Sequence, residues 1–475
     1  VIHIGGGVDV IKKIRNYEEI ANRCEVKARQ KVLQLMDLTL QEVDAYKRIL
    51  EIMHLDGETL SVGTKKWDLR TKNNIYLLGA GKACNAMAGA VCKVLGERIT
   101  KGIISVKIVE EEDCYCNTEV YVGGHPLPNT EGIKAAKKML EVIESASPQD
   151  LFISVCSGGS SALLTCPMAP ITLEDEIAAQ DILLKSGAKI LEINAVRRHI
   201  SQTNGGRLAE KICHEKGAEL ISFQISDAVG KPGIADISQP AYFRGTPFGG
   251  DQTSVKEARE MIINYGLKDK LPKSVVHYIF DDSQVRETPF DIDEGKITTF
   301  VVGNLADSCK AAKEIAERMG ENCMVLTTYL EGESSQAGVF LSSLIREIKY
   351  QDNPVKKPCF VVCAGETTCN IGQDPRGVGG PSQELVLGMA MGLKGIRGVA
   401  GASIDTEGTD GPTMYAGGIV DGNTCERLEA AGENIFEALR YHSTGNALER
   451  IGDYIYTGNT GTNLCDLNIC YIEAE

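Results

Sequence analysis

Short apolar runs that break into glycine, each followed by an amphipathic stretch, recur along this chain and leave it little choice of fold. "NIYLLGAG" (74–81) leads into a helical stretch through Leu95, and "KGIISVKIV" (101–109) and "EVYVGGHPLPN" (119–129) read as strands. "TEGIKAAKKMLEVIESA" (130–146) is an amphipathic helix with Asn129 or Thr130 as its cap, and "DLFISVCSGGSSALL" (150–164) is strand, glycine turn and helix. Two more helical segments cover roughly 173–213, and "AELISFQISDAVG" (218–230) is a strand with a polar exit. Wholly apolar short runs suit buried strands, and apolar positions at threes and fours suit helices. Their alternation implies an α/β fold, a parallel sheet with helices on both faces.

The alternation is interrupted twice. Residues 8–54 carry a helical pattern, followed by a stretch (57–73) that reads as a hairpin. From 225 to 295 the proline and glycine clusters "GKPGIADISQP" and "RGTPFGGD" read as loops, and the boundary falls in polar, acidic sequence at 285–295. Beyond it come "ITTFVVGN", a helix to Met319, "CMVLTTYLEG", a helix to Tyr350, "PCFVVCAGETT", a glycine-rich loop and a helix over 383–394. "VAGASIDTEGTDGP" and "DYIYTGNTGTN" close the chain. A chain of 475 residues exceeds one ordinary core. The expected organisation is a Rossmann-like first domain over 1–288 and a second α/β domain over 289–475, facing each other across a cleft.

The formal net charge of −15 argues against nucleic acid or an anionic membrane as partner. An anionic small substrate then needs a local group of Lys and Arg. No apolar run approaches the roughly 18 residues of a membrane span. The sixteen cysteines fall largely inside apolar runs (Cys84, Cys92, Cys156, Cys359, Cys363) with no C-x-x-C pair, and no secretory leader precedes them. That usage points to reduced, structural thiols and a cytoplasmic setting. "CYC" at Cys114 and Cys116 is too tight for a usual zinc site. A homo-oligomer is compatible with the sequence, which does not fix the number of copies.

Six stretches carry chemistry, each with a plainer alternative. In "LLGAGKACNAMAGAV", Gly79 and Gly81 permit a sharp turn and close ligand approach, the following helix start favours an anion, and Lys82 adds a mobile cation. The alternative is a tight turn with a solvated lysine. The loop is neither a Walker A motif nor a full dinucleotide fingerprint, since Cys84 takes the third glycine place. "SVCSGGSSALL" offers Gly158, Gly159 and the hydroxyls of Ser157 and Ser160 to an anion, or forms a capped turn. In "EINAVRRHISQTNGGRLA", Arg197, Arg198, His199 and Arg207 concentrate cations suited to carboxylate or phosphate, and Asn194 suits a hydroxyl. The alternative is a salt-bridged helix surface. Asp227 in "ISDAVG" stands at a strand exit, where it would bind Mg²⁺, take a proton or form a turn. Glu366 and the glycine loop ending in Gly379, Gly380, Gln383 and Glu384 form a ligand loop or an ordinary surface loop. Asp405, Asp410 and Asp421 are metal carboxylates or turn residues.

Taken together, "GAGKA", "GHPLPNTEG", "SGGSSALL", "EINAVRRHIS", "GGRLA", "ISDAVG", "GETT", "GVGGPSQE", "GTDGPT", "GGIVDG" and "TGNTGTNLCDL" resemble, in this order, the glycerate 2-kinase family. Its members carry a C-terminal MOFRL-type domain, here about 357–470, and some were formerly labelled hydroxypyruvate reductases. The resemblance implies ATP and Mg²⁺, and transfer of the γ-phosphoryl to the 2-hydroxyl of D-glycerate. It implies catalysis by Lys82 and by an arginine in the glycine loop, whose place here is held by Pro381; Arg376 is the nearest substitute. With the readings above it sets Lys82, Asp227 and Arg376 as catalytic, and Arg197, Asn194, Ser157 and Ser160 as substrate-binding. Gly79, Gly81, Gly158, Gly159, Glu366, Gly379, Gly380, Gln383 and Glu384 then bind the nucleotide, and Asp227 and Asp410 the metal. The second domain is expected to close over the nucleotide and exclude water. The alternatives are an NAD(P)H-dependent hydroxypyruvate reductase, a kinase of another sugar acid, and a non-catalytic sensor.

Overall fold

The computed structural model describes residues 12–110, 113–227, 245–292, 295–372 and 374–474. The loop "GKPGIADISQP" and the second half of "ISDAVG" lie outside them. The described residues fall into two compact units. One holds Ala45–Ser226 and the residues from 245 to Val302; the other holds the residues up to Asp44, Asp227, and those from Gly303 onward. The expected single boundary near 288 therefore moves to 302, and the N-terminal helical segment groups with the C-terminal sheet.

In the first of these units, a three-stranded antiparallel meander (Met53–Asp56, Thr59–Val62, Lys65–Asp68) replaces the expected hairpin and the end of the expected long helix. A six-stranded sheet follows: β1 (Ile75–Ala80), β2 (Lys101–Val106), β3 (Thr118–Val122), β4 (Leu151–Cys156), β5 (Glu219–Ile225) and β6 (Ile297–Gly303). Their order across the sheet is β3-β2-β1-β4-β5-β6, and β1 pairs in parallel with both β2 and β4. This is the doubly wound order of a Rossmann-type sheet. Leu78, Ile103 and Phe152 pack one face against Ala135, Met139 and Ile143 of the helix Thr130–Glu144, whose cap is Asn129, accepting from the Gly132 amide. Two helices, Val255–Asn264 and Lys273–Phe280, occupy sequence expected to be irregular. Proline-rich flanks hid their apolar faces, which pack on Val196 and Leu183.

The other unit is built on β7 (Asn322–Leu330), β8 (Cys359–Gly365), β9 (Val399–Asp405), β10 (Gly417–Asp421), β11 (Tyr454–Ile455) and β12 (Asp466–Ile472). The order is β7-β8-β12-β9-β10-β11; β7 and β8 are parallel and every other pairing is antiparallel. Alternate residues face opposite ways along a strand. In β8, Phe360, Val362 and Ala364 join one core, and Cys359, Val361 and Cys363 the other. The helices Ser334–Gln351 and Pro381–Leu393 cover the second face. The first is covered by Leu305–Arg318 and by Val32, Leu33, Met36 and Leu40 of the N-terminal helix Val26–Glu42. That helix is also held by charge. Arg29, fully buried, donates to Asp421 (2.7 Å) at the end of β10, to Asp453 (2.8 Å) and to the Ile20 carbonyl (2.8 Å).

Asp466 opens β12, paired with Gly365 on one side and Asp405 on the other. Its carboxyl accepts from the Thr367 amide (3.2 Å) and from Ser382 Oγ (3.4 Å), so it joins the "GETT" turn to the helix beginning at Pro381. Burial, aided by the charge of Glu366, pushes its pKa up to about 7.

Two predictions follow from this unit. Arg29→Met takes one of two guanidinium groups from buried Asp421 and Asp453, leaving Arg427 at 3.5 Å from the first and hydrogen-bonded to the second, and should destabilise by at most about 3–5 kcal/mol, read as a lower denaturant midpoint; an unchanged midpoint refutes the strut. Asp466 keeps its proton in the folded chain up to about pH 7, whereas an unfolded aspartate loses it near pH 4. Its contribution to stability therefore falls as pH rises through that window. Relative to Asp466→Asn, the wild type should lose thermal stability between about pH 4 and pH 7. A difference in melting temperature that stays flat with pH would contradict this.

Candidate active site

The strand order reverses between β1 and β4, and in such sheets ligands sit outside the carboxyl ends of the strands at that point. The loop after β1 and the loop after β4 meet there and are stitched together. The Lys82 amide donates to the Gly158 carbonyl (3.0 Å), the Ala83 amide to Ser157 Oγ (3.0 Å), and the Ser157 amide to the Ala80 carbonyl (3.2 Å). Gly81, at φ +136°, has no room for a side chain, because a Cβ would overlap Ser157. Gly79 has a different reason: a Cβ would press on Val155 and Cys84, so this glycine serves strand packing rather than a ligand.

The stitching corrects one expectation. The Gly81 amide donates to the Ser105 carbonyl (3.3 Å) and the Cys84 amide to the Gly81 carbonyl (3.1 Å), so the amides from Gly81 to Cys84 already have acceptors. They do not form the anion cradle. The serine turn does retain donors: among the described residues, the amides of Gly158, Gly159, Ser160 and Ser161 are paired with no acceptor. Gly159, at φ +82°, turns this segment, with Lys82 Cγ and His125 Cδ2 each 3.1 Å from where a Cβ would stand. Lys82 and His125 thus flank the serine turn. His125 belongs to "GHPLPN", a loop after a strand; that position was its only signal in the sequence.

Arg197 reaches the same turn from the helix Ile190–His199. Its Nη2 donates to Ser161 Oγ (2.9 Å) and its Nη1 to Asn194 Oδ1 (3.3 Å), while Nε, buried, meets no acceptor among the described residues. Burial lowers the guanidinium pKa, opposed by the charge of Glu176. Glu176 is itself buried and accepts from Thr165, and burial raises its pKa. The other cations of this stretch are structural. Arg198 pairs with buried Asp251 (2.8 Å), His199 Nε2 with Glu287 (3.1 Å), and Arg207 donates to the Arg286 carbonyl (2.8 Å).

The second unit holds the remaining predicted residues. Asp227 Oδ2 accepts from Asn463 (3.2 Å), and the Cys465 thiol donates to the Asp227 carbonyl (2.9 Å). Glu366 is exposed at the end of β8. The glycine loop is packed against its own unit: a Cβ at Gly379 would overlap Thr444, and one at Gly380 would overlap Asp410. Asp410 is buried and accepts from the Ser382 (3.2 Å) and Gln383 (2.8 Å) amides, and burial together with Asp466 raises its pKa well above the usual range. Its two oxygens cap the helix at Pro381, which does not suit the expected metal role. Gln383 donates to Thr413 (2.7 Å), and buried Glu384 accepts from His442 Nδ1 (2.6 Å), so both side chains point into protein. Arg376 is exposed, pairs with Asp374 (2.9 Å) and lies 3.7 Å over the Tyr441 ring. Nothing about that placement marks it as the replacement for a catalytic arginine.

Two family models match separate stretches of the chain. Residues 31–280 match a domain of unknown function (DUF4147), and residues 359–466 match the MOFRL family. The D-glycerate 2-kinase of Thermotoga maritima is 36% identical over 397 residues, covering 84% of this chain and 90% of the relative. The glycerate 2-kinase of Pyrococcus horikoshii is 34% identical over 445 residues, covering 93% and 97%. The crystal structure of the Thermotoga maritima glycerate kinase superposes with a TM-score of 0.74 at 33% identity, covering 92% of this chain and 98% of that one. On the order of its sheet, its loops and these relatives, the chain belongs to the glycerate kinase family.

Proposed function

We propose that this chain transfers the γ-phosphoryl group of ATP to the 2-hydroxyl of D-glycerate. The observation that carries the reading is the convergence of Lys82, four amides without an acceptor among the described residues, and the half-buried Arg197 on one serine turn at the switch point of the sheet. Such a turn accepts an anion through backbone N–H groups, and glycerate and ATP are both anions.

Phosphoryl transfer calls for positioning and neutralisation of charge more than for covalent chemistry by the protein. Arg197, oriented by Asn194 and Ser161, holds the glycerate carboxylate; its orphaned Nε is the donor a second carboxylate oxygen completes. The glycerate 2-oxygen forms the new bond to the γ-phosphorus as the bond to the bridging oxygen of ADP breaks, and the hydroxyl proton is released to solvent. Lys82, with the amides from Gly158 to Ser161 and the Ser160 hydroxyl, offsets charge on the group in flight. Ser157 is a positioning residue, because its hydroxyl already accepts from the Ala83 amide.

Magnesium needs oxygen donors and keeps phosphate oxygens among them. The Asp227 carboxylate, an oxygen donor just past a strand end, fits that chemistry, whereas Asp410 does not, since both its oxygens take backbone amides. When bound, the ion would neutralise phosphate charge.

ADP release measured with D-glycerate, and product identified as 2-phosphoglycerate, tests the reading directly. Activity with NADH and hydroxypyruvate in its place would favour the reductase. Lys82→Met should lower kcat about 10²–10³-fold; turnover near wild type refutes its role. Arg197→Met should raise KM for glycerate roughly tenfold to a hundredfold and leave KM for ATP near its original value. The opposite pattern would reassign Arg197 to the nucleotide.

A further inference from the structure

The second unit contains one grouping that phosphoryl transfer does not use. Cys369 Sγ, a Glu384 carboxylate oxygen and a His442 ring nitrogen lie within 4.8 Å of one another. They come from three separate segments: the loop after β8, the first turns of the helix Pro381–Leu393, and the turn after the helix Ile435–Arg440. Glu384 and His442 are buried, and Cys369 is partly exposed. His442 has φ +53°, a left-handed backbone uncommon outside glycine, and this conformation accompanies a ring nitrogen 2.6 Å from Glu384.

We propose that Cys369, Glu384 and His442 form a binding site for a divalent metal of the zinc class. Thiolate, imidazole and carboxylate together are a donor set for Zn²⁺, which binds each at about 2.0–2.3 Å. Donor atoms confined within 4.8 Å of one another can share one such ion. A thiolate, a carboxylate and a neutral imidazole around a dication are neutral in sum, so the buried site carries no net charge once filled. Cys369 gives the route of entry, and its thiol also reaches Ser334 Oγ (4.0 Å), an outer contact that would orient the sulfur. The fourth position is left to water. The site is distinct from the magnesium of the nucleotide, which prefers oxygen donors alone. It would tie the glycine-loop helix to its two neighbours.

Cobalt(II) reports such a site without reference to kinase activity. Full-length protein, dialysed against chelator, should take up one cobalt per chain, with visible d–d bands and a near-ultraviolet thiolate charge-transfer band. Zinc should displace it and raise the melting temperature. Cys369→Ser should abolish the charge-transfer band, and His442→Gln should weaken binding tenfold or more, on the order seen for disturbed metal sites. Cys114→Ser, an exposed thiol elsewhere, should change neither. Circular dichroism confirms that the variants are folded, and should Cys369→Ser fail to fold, alkylation of Cys369 in the native protein, located by mass spectrometry, should be blocked by zinc. Absence of stoichiometric uptake, or a band that survives both substitutions, overturns the site and shows the three groups to be a hydrogen-bonded cluster. Either outcome leaves the kinase reading intact, since no step of it passes through these residues.

Discussion

A backbone contact too close for any side chain, Gly81 against Ser157, sets the geometry of the unit built on the doubly wound sheet. It brings the loops after β1 and β4 into three mutual hydrogen bonds at the point where the strand order reverses. The bonds have a chemical consequence. Amides used to join two loops are not available to a ligand, so those from Gly81 to Cys84 are already committed. The positive character of the site must then come from Lys82, from the serine turn across the joint and from Arg197. A mobile ammonium beside fixed amides suits a phosphoryl group that moves between two oxygens, since the fixed donors set position and the lysine can follow.

The C-terminal unit solves a different problem. Its sheet is apolar on both faces, and a wholly apolar strand needs cover on both. The sequence beyond 303 covers one face with two helices and much of the other with one. The remainder is covered by the helix Val26–Glu42, from the opposite end of the chain, locked by Arg29 between Asp421 and Asp453. A buried arginine between two aspartates adds little over an apolar contact, but it fixes the helix in register, because only one placement satisfies all three charges.

The doubly wound sheet was legible because most of its strands are short apolar runs, four of them meeting glycine at or just past their ends, and periodicity reports that directly. Lys82, Ser160 and Arg197 were legible for the same reason: they follow strand ends or lie on a helix with an evident polar face. What stayed hidden was contact across the sequence. Nothing local to residues 12–44 says which sheet they cover, and the amphipathic pattern only says that they cover one. Arg198, His199 and Arg207 share a stretch with Arg197, and only the positions of Asp251, Glu287 and the Arg286 carbonyl separate the three structural cations from the one at the turn. The helices at 255–264 and 273–280 were lost among proline and glycine, which punctuate a chain without excluding helix between them.

The glycine loop shows why composition misleads about flexibility. Seven residues from Arg376 to Ser382 include three glycines, a pattern that reads as freedom kept for a ligand. In the structure the three meet protein wherever a Cβ would stand: Gly377 against Ser443, Gly379 against Thr444, Gly380 against Asp410. Glycine there permits contact rather than motion. Asp410 and Asp466, both buried, then hold the helix that follows through its first amides and the Ser382 hydroxyl. Two carboxyls in so dry a place cannot both ionise cheaply, which is the physical cause of their raised pKa values. These contacts tie the end of the loop to the first turn of the helix.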